Sequence, residues 1–276
     1  MKYLIPTDFS DCAQAASDLA ISIAKKSEAE VIFLHLMTLP IDYVSSDAGR
    51  KESMYPSTKK QEDRIESKLK EWRERAGHQG VRASSHIHYN EDKSFLHKYA
   101  KEKEVDLILM GSHGADELRD FFVGTNTQRA VRFSKIPVLV VKNPMKEIKQ
   151  VALISDFSRE ALVSEPFIEK FTTMLSAKLH LTFINTPLNF NTSRVVSERL
   201  ADFNSDFKNS AVTHMYNDFQ FESGVTNFCE DYDIDLVIMN THGRKGIDLA
   251  VAGSLTEKVI ANLDIPVLCL PLTHEN

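Results

Sequence analysis

The sequence predicts an α/β protein of two successive units, each a parallel sheet of five strands wound by helices on both faces. Three observations predict it. Short apolar runs rich in β-formers alternate with stretches of helical period, the signature of parallel strands joined by right-handed crossovers. The opening Tyr3-Leu4-Ile5, followed by Asp8-Phe9-Ser10, returns 148 positions later as Val151-Ala152-Leu153-Ile154 and Asp156-Phe157-Ser158. A glycine loop after the fourth strand also recurs, at an offset of 129.

Taken in order, Tyr3-Leu4-Ile5 is a strand ended by Pro6, and the helical pattern after Ser10 carries Ala13, Ala16, Ala20, Ile23 and Ala24. Residues 30–37 form a second, central strand. Residues 38–57 show no period and read as a long loop. Residues 59–75 are highly charged, with Ile65, Leu69 and Trp72 along one stripe, and read as an amphipathic helix. A third strand is predicted over 81–88, and a helix over 92–104 with Phe95, Leu96, Tyr99 and Ala100 on one face. The fourth strand, 105–110, runs into Gly111-Ser112-His113-Gly114 and, nine residues on, Gly124-Thr125. A short helix with Ala130, Val131 and Phe133 then precedes Pro137 and the fifth strand, Val138-Leu139-Val140-Val141.

The order begins again at Gln150, which places the two units at 1–145 and 146–276. Lys178-Leu179-His180-Leu181 opens the second strand of the new unit. Its fourth strand leads to Asn240-Thr241-His242-Gly243 and, nine residues on, Gly253-Ser254, and the last strand follows Pro266. The offset drops from 148 to 129 between the second and fourth strands, so the first unit carries about 19 extra residues in its 38–57 loop and the helix beyond. Pro166 falls inside a helical pattern spanning 159–175, where it either kinks the helix or marks a restart at Ser164.

A chain of 276 residues suits about two domains, and 42% hydrophobic with 26% charged residues is an ordinary globular composition. The net charge of -6 disfavours nucleic-acid binding through a broad basic surface. Cys12, Cys229 and Cys269 lie far apart with no Cys-x-x-Cys pair and read as reduced core thiols of a cytoplasmic protein. The apolar part of the N-terminus is too short for a signal peptide or a spanning helix, so no membrane association is expected.

A buried strand that delivers a glycine-rich loop into a helix start suits an anion. Glycines there can take positive φ and let a ligand approach the backbone, Thr125 can cap the next helix, and the free N–H groups of that helix favour phosphate. In a doubly wound sheet, ligands lie beyond the carboxyl ends of the strands where strand order reverses. If the first and fourth strands are neighbours, Asp8 or Asp156 faces the loop across one crevice, placed to accept from an adenine amino group or a ribose hydroxyl. The same features also serve turns and caps with no ligand at all. No Gly-Lys-Ser/Thr, Gly-x-Gly-x-x-Gly or Gly-x-Ser-x-Gly is present, so P-loop hydrolysis, dinucleotide oxidation and esterase chemistry lack their groups. His113 and His242 either contact a ligand or hydrogen-bond the turn. His86 and His88 share a strand face without a third metal ligand nearby and read as exposed strand-end residues, not a metal site.

The pattern Gly-x2-Gly-x9-Gly-Ser/Thr after an apolar strand, followed by a short helix and Pro-Val-Leu-x-Val and paired with the early Asp-Phe-Ser, resembles the universal stress protein family. The resemblance covers nearly the whole chain in tandem. It implies a Rossmann-like α/β fold in each unit, binding of ATP or AMP with or without magnesium, and no catalytic cycle. It also implies pairing through the last strand, so that the tandem chain forms its own pseudo-twofold dimer, with a homodimer of whole chains left open. Carried onto this sequence, Asp8 contacts adenine, and Gly111, Gly114, Gly124 and Thr125 the ribose and phosphates, with His113 in the same loop. The second set is Asp156, Gly243, Gly253 and Ser254, with Asn240 in place of the first glycine. Asn240 counts against the second site on shape, whereas Arg244 and Lys245 favour it over Asp116 and Glu117 of the first on charge. Exposed loop charges are screened, so the complete glycine set decides for the first. The alternative is an interaction module that has lost its ligand and offers residues 38–75 to a partner. A slow nucleotide hydrolase lacks a visible base or metal ligand.

Overall fold

Runs of Val, Ile and Leu without polar alternation demand burial on both faces, and the chain meets that demand with one sheet between two helical layers. The computed structural model describes residues 1–39, 41–89, 95–113, 123–145, 147–158, 161, 164–207, 211–240 and 249–271. In the first half the elements are β1 (Lys2–Pro6), α1 (Asp11–Ser27), β2 (Glu30–Met37), α2 (Ile41–Val44), α3 (Ala48–Met54), α4 (Pro56–His78), β3 (Ala83–Tyr89), α5 (Phe95–Glu102), β4 (Leu107–Gly111), α6 (Thr125–Phe133) and β5 (Val138–Val141). In the second they are β6 (Gln150–Ile154), α7 (Glu165–Leu175), β7 (Lys178–Asn185), α8 (Ser193–Ser205), β8 (Val212–Asn217), α9 (Phe221–Asp231), β9 (Leu236–Asn240), α10 (Leu249–Asn262) and β10 (Val267–Leu270).

All ten strands join one sheet in the order β3-β2-β1-β4-β5-β10-β9-β6-β7-β8. Neighbours are parallel except at the β5–β10 seam, where Val140, Leu139 and Val138 oppose Val267, Leu268 and Cys269. Leu139 and Leu268, equivalent at the 129-residue offset, face each other there, so the seam is self-complementary about a pseudo-twofold. The edge that each half would otherwise expose is thereby paired. Arg132 on α6 forks onto both carboxylate oxygens of Glu257 on α10 across the same seam. One core fills the face covered by α1, α4, α7 and α8, and a second fills the face of α5, α6, α9 and α10.

Local chemistry explains the elements that matter for the crevice. Helix α1 starts at Ser10, whose hydroxyl accepts the Ala13 amide, and buries the small side chains of Ala13, Ala16, Ala20 and Ala24, which lets it lie close to the sheet. Asp106 accepts the Lys2 amide, and its counterpart Asp235 accepts those of Lys149 and Gln150, so each half pins its first strand beside its fourth.

Two expectations need correction. Residues 38–57 are not a continuous loop, because α2, α3 and the start of α4 occupy much of that stretch. Their anchor is Glu62, buried on α4, which accepts the hydroxyls of Tyr43 (2.8 Å) and Tyr89 (2.6 Å) and lies 3.5 Å from Lys59. Burial alone would raise the Glu62 pKa, but the two hydroxyls and the lysines hold it below the usual carboxylate range. At Pro166 the chain restarts: Ser164 is the N-cap of α7 and the proline sits in the first turn, so the helical pattern of 159–164 does not belong to α7.

One buried polar cluster makes stability depend on pH. His180 Nε2 donates to Gln150 Oε1 at 2.9 Å, which leaves His180 Nδ1 to accept from His214 Nε2 at 2.9 Å, a chain that requires the His180 imidazole neutral. Burial, then His214, then Lys178 push the His180 pKa down to about 4, and burial and Lys178 lower that of His214. The unfolded chain takes up these protons near pH 6.5, so stability is complete above that value and falls as the pH drops toward 4. Replacing His180 with Gln should flatten the fall in melting temperature between pH 6.5 and 4.5, as followed by circular dichroism. An unchanged slope would contradict this assignment.

Candidate functional site

Strand order in each half reverses between the first and fourth strands, which are hydrogen-bonded neighbours in both. The crevice beyond their carboxyl ends is therefore where a doubly wound sheet receives a ligand. In the first half it is framed by Thr7-Asp8 leaving β1 and by Gly111 ending β4.

The turn after β1 is built the same way in both halves. Thr7 Oγ1 accepts the Phe9 amide and Asp8 Oδ1 accepts the Ser10 amide, each at 3.0 Å. In the second half, Ser155 Oγ accepts the Phe157 amide at 3.2 Å and Asp156 Oδ1 the Ser158 amide at 3.1 Å. Both phenylalanines lie in the left-handed region, with φ of 64° and 52°. A bulky side chain there costs on the order of 1 kcal/mol, so packing must hold it. The Phe9 ring stacks on His35 and meets Trp72 edge-on, and Phe157 meets Phe203 edge-on. These phenylalanines shape the aspartate turn, yet left-handed backbone at Phe has no sequence signal. His35 was also not singled out by the sequence. Its Nδ1–H donates to the Thr7 carbonyl at 2.7 Å, and burial lowers its pKa. Its one trace is a histidine inside an apolar strand where the repeat has Phe183.

Gly111 is the last residue of β4, not part of a flexible loop, and among the described glycines only Gly80 has positive φ. The need for glycine is steric. A Cβ at Gly111 would lie 2.9 Å from the Ala13 nitrogen, the Cys12 carbonyl carbon and the Cys12 Cβ, all in the first turn of α1. Beyond it, Ser112 donates its amide to the Val141 carbonyl and accepts the Gly124 amide at 2.7 Å. This bond joins the two ends of the stretch between Ser112 and Gly124. Thr125 is not the cap. Gly124 is the N-cap of α6, with φ -60° and ψ 148°, Thr125 is the first helical residue, and the Thr127 hydroxyl donates to the Gly111 carbonyl at 2.8 Å. The first turn of α6, with its amide donors, thus sits at the carboxyl end of β4.

His113 does not hydrogen-bond the turn backbone among the described contacts. Its Nδ1 lies 2.9 Å from Ser112 Oγ and its Nε2 3.5 Å from Cys12 Sγ. Cys12 is buried beside it, with its thiol donating to the Lys142 carbonyl at 3.2 Å.

The second half differs at the end of its fourth strand and in the helix that follows. Asn240 ends β9, and its Oδ1 accepts the Ser164 hydroxyl at 3.1 Å. Helix α7 begins at Glu165, and the Asn240 side chain is accommodated at the end of β9. Gly253 and Ser254 lie inside α10, which starts at Leu249, so their amides belong to the helix interior and not to its free N-terminus. Gly114, Asp116, Glu117, Thr241, His242, Gly243, Arg244 and Lys245 fall outside the described residues.

Among the described residues no group of three His, Cys, Asp or Glu is placed to hold a metal ion. His86 and His88 stack on Tyr99 and Phe95 of α5, and His86 is the more exposed of the two. No described helix is long and apolar enough to cross a membrane.

Comparison with known proteins agrees with this architecture. The sequence model of the universal stress protein family matches residues 1–142 and 220–271. A universal stress protein of Methanocaldococcus jannaschii is 31% identical over 53% of this chain and 84% of its own, and one from Bacillus subtilis is 30% identical over 51% and 98%. The solved structure of a universal stress protein from Archaeoglobus fulgidus superposes with a TM-score of 0.77 at 17% identity, covering 99% of this chain and 98% of that one. Both halves therefore share their arrangement with a known fold.

The steric role of Gly111 is testable. Gly111→Ala should destabilise the protein by about 1–3 kcal/mol, the usual cost of overpacking. Asn240→Gly, which removes only the Ser164 contact, should cost about 1 kcal/mol. Chemical denaturation of the two variants checks this, and a Gly111→Ala protein as stable as the parent would refute the contact with α1.

Proposed function

The chain belongs to the universal stress protein family, and from that premise we propose that it binds ATP or AMP, with or without magnesium, in the crevice of its first half. It acts by occupancy, without turnover, in a cytoplasmic stress response. In this reading residues 1–145 and 146–276 are the two tandem units, and only the first keeps a nucleotide site. Asp8 receives the adenine or ribose, while Gly111, His113, Gly114, Gly124 and Thr125 surround the ribose and phosphates.

The observation that carries the reading is the closure of the glycine segment. The Gly124 amide bonded to the Ser112 carbonyl holds the start of α6 against the end of β4, beside the Asp8 turn. Helix amides and a dipole at that point favour a phosphate. The second half has a side chain at Asn240 and a helix running through Gly253 and Ser254, which supports Asp156, Gly243, Gly253 and Ser254 as fold-forming residues without a ligand. The absence of a visible metal-ligand cluster among the described residues offers no support for a hydrolase.

A second reading, an interaction module, draws on the inserted helices. A groove of about 560 Å³ lies between α4 and the edge strand β3, lined by Asp63, Glu66, Lys70, Arg73, Ser85 and Tyr89. The two readings part in calorimetric titration of the intact protein with ATP, ADP and AMP. Binding at one site is expected, weakened about tenfold or more by Asp8→Ala through loss of a charged hydrogen bond and unaffected by Asp156→Ala. Gly114→Val and Gly243→Val should divide in the same way. Absence of binding by any of the three nucleotides would overturn the nucleotide reading and leave the interaction module.

A further inference from the structure

We propose that the open edge of the sheet at β3 is a homodimer interface, where β3 of a second copy adds antiparallel and Glu66 of each chain meets Arg73 of the other. Strands β5 and β10 close each other within the chain, so a pair of whole chains needs another surface. Among the described residues β3 pairs only with β2. The Val31 amide donates to the Arg82 carbonyl, so in this parallel ladder the even-numbered residues of β3 bond β2. The amides and carbonyls of Ala83, Ser85, Ile87 and Tyr89 therefore face outward along the edge, a template for another strand. The proposal is independent of the nucleotide reading, because β3 is the outermost strand and the crevice lies between β1 and β4.

The charges on α4 identify the occupant. Along the groove between α4 and β3 the helix presents Asp63, Glu66, Lys70 and Arg73, two carboxylates and then two cations. These residues stand outside the first and last turns of a 23-residue helix, so its dipole does not set their order. A row of one sign would hold a second copy off, whereas a row that reverses sign matches itself when turned end for end. Asp63 is engaged by Lys59 and Lys70 lies 3.8 Å from Glu74, but Glu66 and Arg73 have no ion pair among the described residues. The Tyr89 hydroxyl donates to Glu62 and the Val81 amide to the Ala76 carbonyl, so α4 and β3 run antiparallel. His86 lies three residues back from Tyr89, about 10 Å along the strand, which is about seven residues along the helix. That brings it level with Leu69 and Lys70, midway between Glu66 and Arg73. A twofold axis at His86, the middle of β3, thus overlaps all seven strand residues and sets Glu66 opposite the partner's Arg73. Large side chains then oppose small ones on the α4 face, Ile87 against the partner's Ser85 and Tyr89 against the partner's Ala83. The chain already uses this device at its internal seam, where antiparallel β5 and β10 are flanked by the Arg132–Glu257 pair between their covering helices.

Sedimentation velocity of the intact chain at about 1–100 µM tests this. A monomer–dimer equilibrium that weakens with added salt is expected. Glu66→Arg and Arg73→Glu, each of which sets like charges together at two symmetric contacts, should each raise the Kd about tenfold or more. An equimolar mixture of the two variants should regain dimerisation, because opposite charges then meet at both contacts. Ser85→Pro removes an outward amide without touching the β2 ladder, and should give a folded monomer by circular dichroism. Hydrogen exchange at the Ser85 and Ile87 amides should be slower in the dimer than in the diluted monomer. A chain that stays monomeric over this range overturns the proposal, even one that takes an extended peptide along β3. A dimer that neither reversal weakens overturns it too, as does a mixture of the reversed variants that stays monomeric.

Discussion

No side chain fits between the end of β4 and the first turn of α1, and much of the first crevice follows from that contact. Gly111 lets the helix come down onto the strand. Once it does, Ser10 caps α1 directly after the Asp8 turn, and Ser112, one residue past the contact, is placed to close on Gly124. The crevice is thus a consequence of close packing at its floor. A substitution there would act on α1 and on the strand end that closes onto α6.

The second half has a side chain at the corresponding strand end. Asn240 bonds Ser164 just ahead of α7, and α10 takes Gly253 and Ser254 into its interior. The sheet does not suffer, because its strands are pinned by Asp235 and the β5–β10 seam, neither of which involves the crevice. Stability and site geometry are carried by different residues. A change at one crevice can therefore leave the ten-stranded sheet intact.

The architecture was legible because its signals are periodic. Apolar runs, helical stripes and the repeat offsets located the strands and their order of appearance, while the approach of the carboxylate turn to the glycine segment hung on the first and fourth strands being neighbours, which the sheet makes them. What was not legible depends on contacts between distant residues. A glycine reads alike whether it serves conformational freedom or close approach, so Gly111 passed for a loop residue. Thr125 carries good capping chemistry, but the extended backbone of Gly124 takes that position and Thr127 supplies the hydroxyl that reaches Gly111. The short helices after β2 have no apolar period, since Glu62 and two tyrosines far apart in sequence anchor that region. The left-handed Phe9 and Phe157 run against the preference of their residue type.

Occupancy of the first crevice alone is the central claim, and a crystal structure of the intact protein grown with ATP or AMP addresses it most directly. Nucleotide density between the Asp8 turn and the start of α6, with none between Asp156 and Gly253, is the expected result. Density in the second half with the first half empty would contradict it.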